Sequence, residues 1–155
     1  MTSPNRIENR KARHDFFLFE KFEAGIALLG SEVKSIREGK VNLKDSYARV
    51  VRNEAFLFNC HITPYSKIQG HFEVDATRSR KLLLKKSEID FLAEKMSQKG
   101  FTLVPTVMYF KKGLVKVEIA LGKGKKQFDK REDIKRRIHD RESAAAMKLH
   151  TRKGK

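Results

Sequence analysis

The sequence predicts an all-β fold with short helices, in which about six strands close into an antiparallel barrel that carries a flexible basic C-terminal tail. β-Branched and aromatic residues fall into three pairs of segments, and turn-forming residues join the members of each pair. The sequence lacks the regular alternation of strands and helices that would indicate a parallel sheet. Closure removes the exposed edges of the outer strands, so an OB-like barrel fits this pattern best.

The strands are predicted as three hairpins, each with a short turn between two apolar segments. The predicted pairs are 16–22 with 26–29, 46–52 with 55–62, and 101–110 with 114–121. The connections are 23–25, 52–54 and Lys112-Gly113. Pro105 has no amide hydrogen to donate, so it predicts an edge or a bulge within the last hairpin.

Two helices are predicted between these strands. A short helix begins after Ser31, which is its predicted N-cap, and ends before Gly39. A longer helix over 88–99 has one apolar face, and Ser87 with Asp90 forms its predicted capping box.

The composition indicates a nucleic-acid partner. The 155 residues suffice for one core, and 35 Lys and Arg against 19 Asp and Glu give a formal net charge of +16. An anionic membrane is the second candidate, but no apolar stretch approaches the roughly 18 residues that span a bilayer, and Met1 to Lys11 has no signal-peptide core. The single cysteine, Cys60, predicts a small buried residue in a protein of a reducing, cytoplasmic compartment.

Three regions differ in composition. Residues 1–13 are predicted to be a flexible basic N-terminus, and residues 14–121 the OB-like RNA-binding barrel. Residues 121–155 hold 13 Lys and Arg against 5 Asp and Glu, with few apolar residues. We therefore expect 122–155 to be a basic tail that is disordered when free and becomes helical on its partner.

Catalytic and metal-binding patterns are weak. The five histidines lie far apart, without the spacing of a metal site, and the Gly122-Lys123-Gly124-Lys125-Lys126 segment lacks the spacing of a phosphate loop. The sequence shows no convincing acidic metal cluster of the kind a nuclease uses. We expect a protein that is not an enzyme and has no cofactor and no metal.

Two basic segments are candidate RNA contacts. In the segment 78–86, five cations flank three leucines, which predicts a phosphate cradle; the alternative is a solvated loop whose leucines plug the core. In the segment 124–131, Phe128 lies between basic residues, a mixture suited to stacking on an unpaired base beside phosphates. Asp129 with Glu132 also forms an N-terminal capping pattern for a helix.

Seven motifs in order along the chain carry a family resemblance. They are 9–14 (NRKARH), 22–25 (FEAG), 30–35 (GSEVKS), 42–46 (NLKDS), 61–65 (HITPY), 78–84 (RSRKLLL) and 124–131 (GKKQFDKR). On these motifs nearly the whole chain resembles the SsrA-binding protein family (small protein B, SmpB), whose members are the partners of transfer-messenger RNA (tmRNA) in bacterial ribosome rescue. Ala76 and Phe128 depart from the usual family residues, which are proline and a histidine or tyrosine.

The resemblance implies an adaptor that holds the tRNA-like domain of tmRNA and delivers it to stalled ribosomes for trans-translation. The tail is expected to occupy the decoding centre of the small ribosomal subunit and the empty mRNA channel. The residues implied for the tmRNA face are Asn9, Arg10, Lys11, Glu23, Arg78, Arg80, Lys81, Leu83 and Lys116. Those implied for ribosome engagement are Lys125, Lys126, Phe128, Asp129, Lys130, Arg131, Met147 and Lys148.

The implied partners are tmRNA and the small subunit, with elongation factor Tu and alanyl-tRNA synthetase acting indirectly through the RNA and no membrane. A structural ribosomal protein or assembly factor is the alternative in another class, and it should co-sediment with subunits whether or not tmRNA is present. A nuclease is the third candidate, and turnover of end-labelled RNA with magnesium would reveal it.

Overall fold

A computed structural model describes residues 6–64 and 74–153, and within 127–153 it describes the side chains except those of 127, 128 and 149–153. The motif residue Tyr65 and the histidine at position 71 lie outside the described residues. The strands are β1 Ile7–Glu8, β2 Phe16–Ile26, β3 Val41–Asn42, β4 Tyr47–Val51, β5 Glu54–Phe58, β6 His61–Ile62, β7 Arg80–Leu83, β8 Phe101–Lys111 and β9 Leu114–Gly124. The helices are α1 Arg10–Asp15, α2 Gly30–Arg37, α3 Lys86–Met96 and α4 Gln127–Lys153.

The main sheet closes on itself. Its order is β1-β8-β4-β5-β7-β2-β9, and β9 also pairs with β8, so six antiparallel strands form a ring. The predicted OB-like architecture of about six strands is therefore confirmed. The strands β3 and β6 form a separate two-stranded sheet.

Two of the three predicted hairpins are confirmed. Arg52 and Asn53 both have positive φ between β4 and β5, as do Lys112 and Gly113 between β8 and β9, which is the backbone that a tight two-residue hairpin turn requires. The predicted irregularity at Pro105 is also present, because the β8–β9 register shifts between Pro105 and Val107.

The first predicted hairpin is wrong. Residues 16–26 form one 11-residue strand, and the expected turn at 23–25 is extended backbone paired with β9. Gly25 is needed there for close packing: a Cβ on it would lie 3.2 Å from the Cβ of Leu83 on β7. The sixth strand of the ring is β7, in the segment that we predicted as a phosphate cradle.

The two predicted helices are present with different caps. Glu32 accepts a hydrogen bond from the backbone of Leu29 at 2.9 Å, and Glu88 accepts one from the backbone of Lys85 at 3.0 Å. Ser31 and Ser87 lie inside α2 and α3 and are not caps, so both predicted caps are wrong. In both helices a glutamate in the first turn thus reaches back to the backbone amide of the residue before the helix, which is the glutamate's part of a capping box.

The N-terminal segment is ordered earlier than predicted. Residues 7–8 pair with β8, and 10–15 form α1, so the prediction of a flexible segment up to residue 13 is wrong for these positions. Asn9 is the N-cap: its side-chain oxygen accepts from the amide of Ala12 at 3.2 Å, and its nitrogen donates to the carbonyls of Leu43 at 3.2 Å and Pro105 at 2.8 Å. A side-chain cap with long-range hydrogen bonds secures this helix.

The core fills the ring with aliphatic side chains. Its fully buried members include Leu57, Leu82, Leu103, Met108 and Ile119. Cys60 is buried, as predicted, and burial raises the pKa of its thiol to about 11, so the thiol stays protonated at neutral pH.

The chain divides into two compact units at residue 124. The barrel therefore ends three residues later than the predicted residue 121, because β9 continues to Gly124. The second unit contains α4, a helix of 27 residues. That the free tail is disordered stays a prediction. None of the described helices is long and apolar enough to cross a membrane.

Candidate nucleic-acid interface

Three predicted tmRNA-contacting residues from distant parts of the sequence meet on the outer side of the ring. In the sheet register, Gly25 on β2 pairs with Leu83 on one side and with Lys116 on the other. The missing side chain of Gly25 leaves a shallow groove of about 260 Å³ between those two residues. Glu23 lies two residues before Gly25, on the same face of β2.

Glu23 is held by two residues that the sequence reasoning missed. The hydroxyl of Tyr109 donates to its carboxylate, and Lys111 pairs with it at 3.2 Å. Tyr109 is also the register partner of Lys116, so these residues continue the same surface across β8 and β9. We call Glu23, Leu83, Tyr109, Lys111 and Lys116 the Glu23 face.

The charge state of this face follows from its hydrogen bonds. The hydrogen bond from Tyr109, followed by the one from Lys111, holds the pKa of Glu23 below its ordinary value, and nearby Lys116 adds to the effect. Burial and the Glu23 carboxylate raise the pKa of Tyr109 to about 12. At neutral pH the face therefore presents a fixed carboxylate acceptor between lysines, beside the exposed side chain of Leu83.

Arg80 does not lie on the surface. Its side chain is fully buried, and its guanidinium donates to Glu32 at 2.6 Å, to the carbonyl of Cys60 at 2.7 Å and to that of Ala76 at 3.1 Å. The prediction of Arg80 as a phosphate contact is therefore wrong for this structure, since its donors are occupied inside the barrel. Within the predicted cradle 78–86, Leu82 fills the core.

Glu32 is the centre of this buried network. Its carboxylate accepts from Arg78, from Arg80 and from the backbone of Leu29. Burial raises the pKa of Glu32, but the hydrogen bonds from these three donors lower it by more. The pKa therefore lies below its ordinary value, and the carboxylate stays ionised. Arg78 keeps about a third of its side chain exposed, and its Nε and Nη2 both donate to Glu32.

The remaining predicted barrel contacts differ in exposure. Asn9 is buried, and its amide protons and oxygen are already used, so we assign it a structural role in place of a direct RNA contact. Arg10 and Lys11 are exposed on α1, and Lys11 pairs with Asp45. Lys81 is exposed and pairs with Glu54 at 3.3 Å.

The predicted tail residues lie on or just before α4. Lys126, Arg131, Met147 and Lys148 are exposed, and Asp129 and Lys130 are half-buried. Lys125 is an exception: its side chain is only 3% exposed and pairs with Asp133, so its ammonium group is not available in this conformation. The side chain of Phe128 lies outside those that the structure describes.

The predicted capping role of Asp129 differs in detail. Its carboxylate accepts from the backbone of Lys126 at 3.3 Å, so it satisfies the start of α4 from inside the first turn. Among the described residues, no group of three or more His, Cys, Asp or Glu side chains could hold a metal ion.

Comparison with known proteins decides the family. The family model described as "SmpB protein" matches residues 6–149. The chain belongs to the SmpB protein family. The resemblance predicted from seven sequence motifs is thereby confirmed.

Relatives within the SmpB family match over nearly their whole length. The SsrA-binding protein of Caldanaerobacter subterraneus subsp. tengcongensis is 60% identical over 135 residues, which cover 87% of this chain and 85% of the relative. That of Trichodesmium erythraeum is 56% identical over 143 residues, 92% of either chain. A chain of a solved structure described as "tmRNA-SmpB: a journey to the center of the bacterial ribosome" matches with a TM-score of 0.67 and 46% identity, over 85% of this chain and 95% of that one.

Proposed function

We propose that this protein binds tmRNA through its tRNA-like domain and delivers it to stalled ribosomes for trans-translation. The observation that carries the proposal is the 46% identity to a chain from the tmRNA-SmpB structure on the bacterial ribosome, across 95% of that chain. Its relatives named SsrA-binding protein support the same RNA partner.

The Glu23 face supplies the chemistry that folded RNA requires. Lys111 and Lys116 neutralise phosphates, while the exposed Leu83 packs against sugar or base surfaces. A carboxylate facing RNA repels phosphates, so Glu23 must accept hydrogen bonds from base edges or 2′-hydroxyls. Tyr109 and Lys111 hold the carboxylate in place for that role. Arg10, Lys11, Arg78 and Lys81 are proposed as further phosphate contacts.

The tail is proposed to enter the decoding centre and the empty mRNA channel. A 27-residue helix is about 40 Å long. The exposed residues Lys126, Arg131, Met147 and Lys148, with Lys130, are proposed to engage ribosomal RNA, and Phe128 to stack on an unpaired base. Asp129 contributes by starting the helix.

The protein is proposed to act in the cytoplasm by binding, without catalysis of its own. Elongation factor Tu and alanyl-tRNA synthetase act on the same RNA, so we propose that their link to this chain runs through tmRNA. The proposed tasks of the protein itself are therefore to recognise tmRNA and to position it on the ribosome.

The test is a gel-shift titration of the labelled tRNA-like domain of tmRNA, with excess bulk tRNA as competitor. Lys116→Met removes one cation from the Glu23 face, and Lys99→Met is the matched control on an exposed lysine after α3. We expect Lys116→Met to weaken binding about tenfold, since a charged hydrogen bond contributes about 1.5 kcal/mol, and Lys99→Met to leave it nearly unchanged.

Salt dependence provides the second readout. If about five phosphates are neutralised, the logarithm of the association constant falls with the logarithm of the salt concentration at a slope of roughly −4. Lys116→Met should make this dependence shallower, with a slope of roughly −3. Binding that bulk tRNA erases would contradict the proposal and favour the ribosomal-protein alternative. A salt-insensitive complex would contradict recognition through phosphates.

A further inference from the structure

A ladder of three aromatic rings covers the outer side of β4 and β5. The rings of Tyr47 and Phe58 stack with centroids 5.5 Å apart and an interplanar angle of 20°. Phe56 continues the ladder at 6.3 Å from Phe58. Tyr47 is 38% exposed although it is large and aromatic. None of these residues takes part in the Glu23 face.

The free side of the ladder opens onto a groove. The strand β4 lies between β5 and β8, and Phe58 stacks on the β5 side of Tyr47. On the β8 side, Tyr47 lines a groove of about 330 Å³ together with Lys11, Phe16, Asp45 and Thr102. This volume falls in the range of small-ligand sites, roughly 300 to 1,000 Å³.

The rim of the groove carries Lys11 and two carboxylates, Asp45 and Asp15. Lys11 pairs with Asp45 across the rim, and both side chains are about half exposed. Because an exposed ion pair contributes little to stability, Lys11 can leave Asp45 and bind a phosphate instead. Arg49 is exposed on the same outward side of β4 as Tyr47. An aromatic face flanked by exposed cations is complementary to an unpaired base and its phosphates.

We propose that this groove binds RNA by stacking one unpaired base on Tyr47, with Lys11 and Arg49 contacting the neighbouring phosphates. The base would extend the existing Phe56–Phe58–Tyr47 ladder by one flat ring. The groove is lined by Thr102 and Val104 at the start of β8, whereas the Glu23 face takes Tyr109 and Lys111 from the end of that strand, and β4 and β5 contribute no residue to the Glu23 face. Because Lys11 is also counted among the phosphate contacts of the proposed function, this proposal extends the RNA surface of that function, and hexauridylate separates the two because it lacks the fold of the tRNA-like domain.

The experiment titrates the full-length protein with labelled hexauridylate and, as a matched probe, with an abasic hexamer that has the same phosphates. Tyr47→Ala removes the stacking surface, and Tyr47→Phe keeps it. We expect hexauridylate to bind about five- to tenfold more weakly to Tyr47→Ala and nearly unchanged to Tyr47→Phe. The abasic hexamer should not distinguish the three proteins.

NMR of the unmodified protein keeps the test independent of whether Tyr47→Ala folds. Ring-current shifts on the Tyr47 and Phe58 ring resonances are expected with hexauridylate and absent with the abasic hexamer. Equal binding of the two hexamers, or ring shifts confined to other surfaces, would overturn the proposal. Ring resonances that ignore RNA but respond to an apolar peptide would instead assign the groove to a protein partner.

Discussion

At the scale of single residues, the buried Glu32–Arg80 pair connects separate parts of the barrel. Removing two charges from water costs several kcal/mol for each ion, and only good geometry and full hydrogen bonding offset that cost. Here the carboxylate has three donors, and Arg80 reaches the carbonyls of Cys60 and Ala76 as well. The network ties α2, β7 and the segments beside β6 into one unit.

We predict that Arg80→Met destabilises the barrel by about 3 to 5 kcal/mol, because the substitution removes the fully buried guanidinium partner of the buried Glu32 carboxylate. The matched control is Lys81→Met on the next residue, whose exposed pair with Glu54 contributes only about 0 to 1 kcal/mol. Urea unfolding followed by circular dichroism measures both. Equal losses for the two variants would show that the buried pair has no special role.

At the scale of elements, the turn residues predicted the two hairpins whose turns are formed by local backbone conformation. They gave a wrong prediction at 23–25, where pairing with other strands determines the structure. Arg52-Asn53 and Lys112-Gly113 adopt the positive φ values of tight turns, which sequence indicates directly. The segment 23–25 looks equally turn-like, yet β2 continues through it because β7 and β9 pair with it on both sides. Such non-local pairing leaves no local signal.

Gly25 tests this account of β2. A methyl group there would lie 3.2 Å from the Cβ of Leu83, so Gly25→Ala should destabilise the protein by about 1 kcal/mol through overpacking between β2 and β7. Gly30→Ala is the matched control: it lies at the start of α2 with no atom within 4 Å, and it should gain about 0.5 kcal/mol from helix propensity. Thermal melts compare the two. A stabilised Gly25→Ala would mean that Gly25 is not a packing site.

At the scale of the whole molecule, sequence patterns gave the architecture, and the family resemblance gave the site. Glu23, Leu83 and Lys116 lie on three strands, and the pairing of β2 with both β7 and β9 brings them together. Tyr109 and Lys111 follow the outward alternation of β8, but their contact with Glu23 joins residues 86 and 88 positions apart. The burial of Arg80 was hidden for the same reason, since its partner Glu32 lies 48 residues earlier.

The division of the chain at residue 124 allows the two tasks to be separated experimentally. A chain ending at Gly124 keeps every β9 pairing, whereas one ending at Leu121 loses the pairings of Phe16, Phe17 and Leu18 with β9. We predict that the shorter chain is less stable by about 2 kcal/mol, from a few lost backbone hydrogen bonds, while the longer one unfolds like the full-length barrel.

The same longer truncation tests the role of the tail. Without α4, the chain should retain most of its affinity for the tRNA-like domain, because the Glu23 face lies entirely within the barrel. It should nevertheless fail to support tagging of nascent peptides on stalled ribosomes, since nothing would occupy the decoding centre. A reconstituted translation reaction on a message without a stop codon measures tagging, with gel shifts on the same preparations as the control for binding. Tagging equal to that of the full-length chain would remove α4 from the mechanism and leave delivery to the barrel alone.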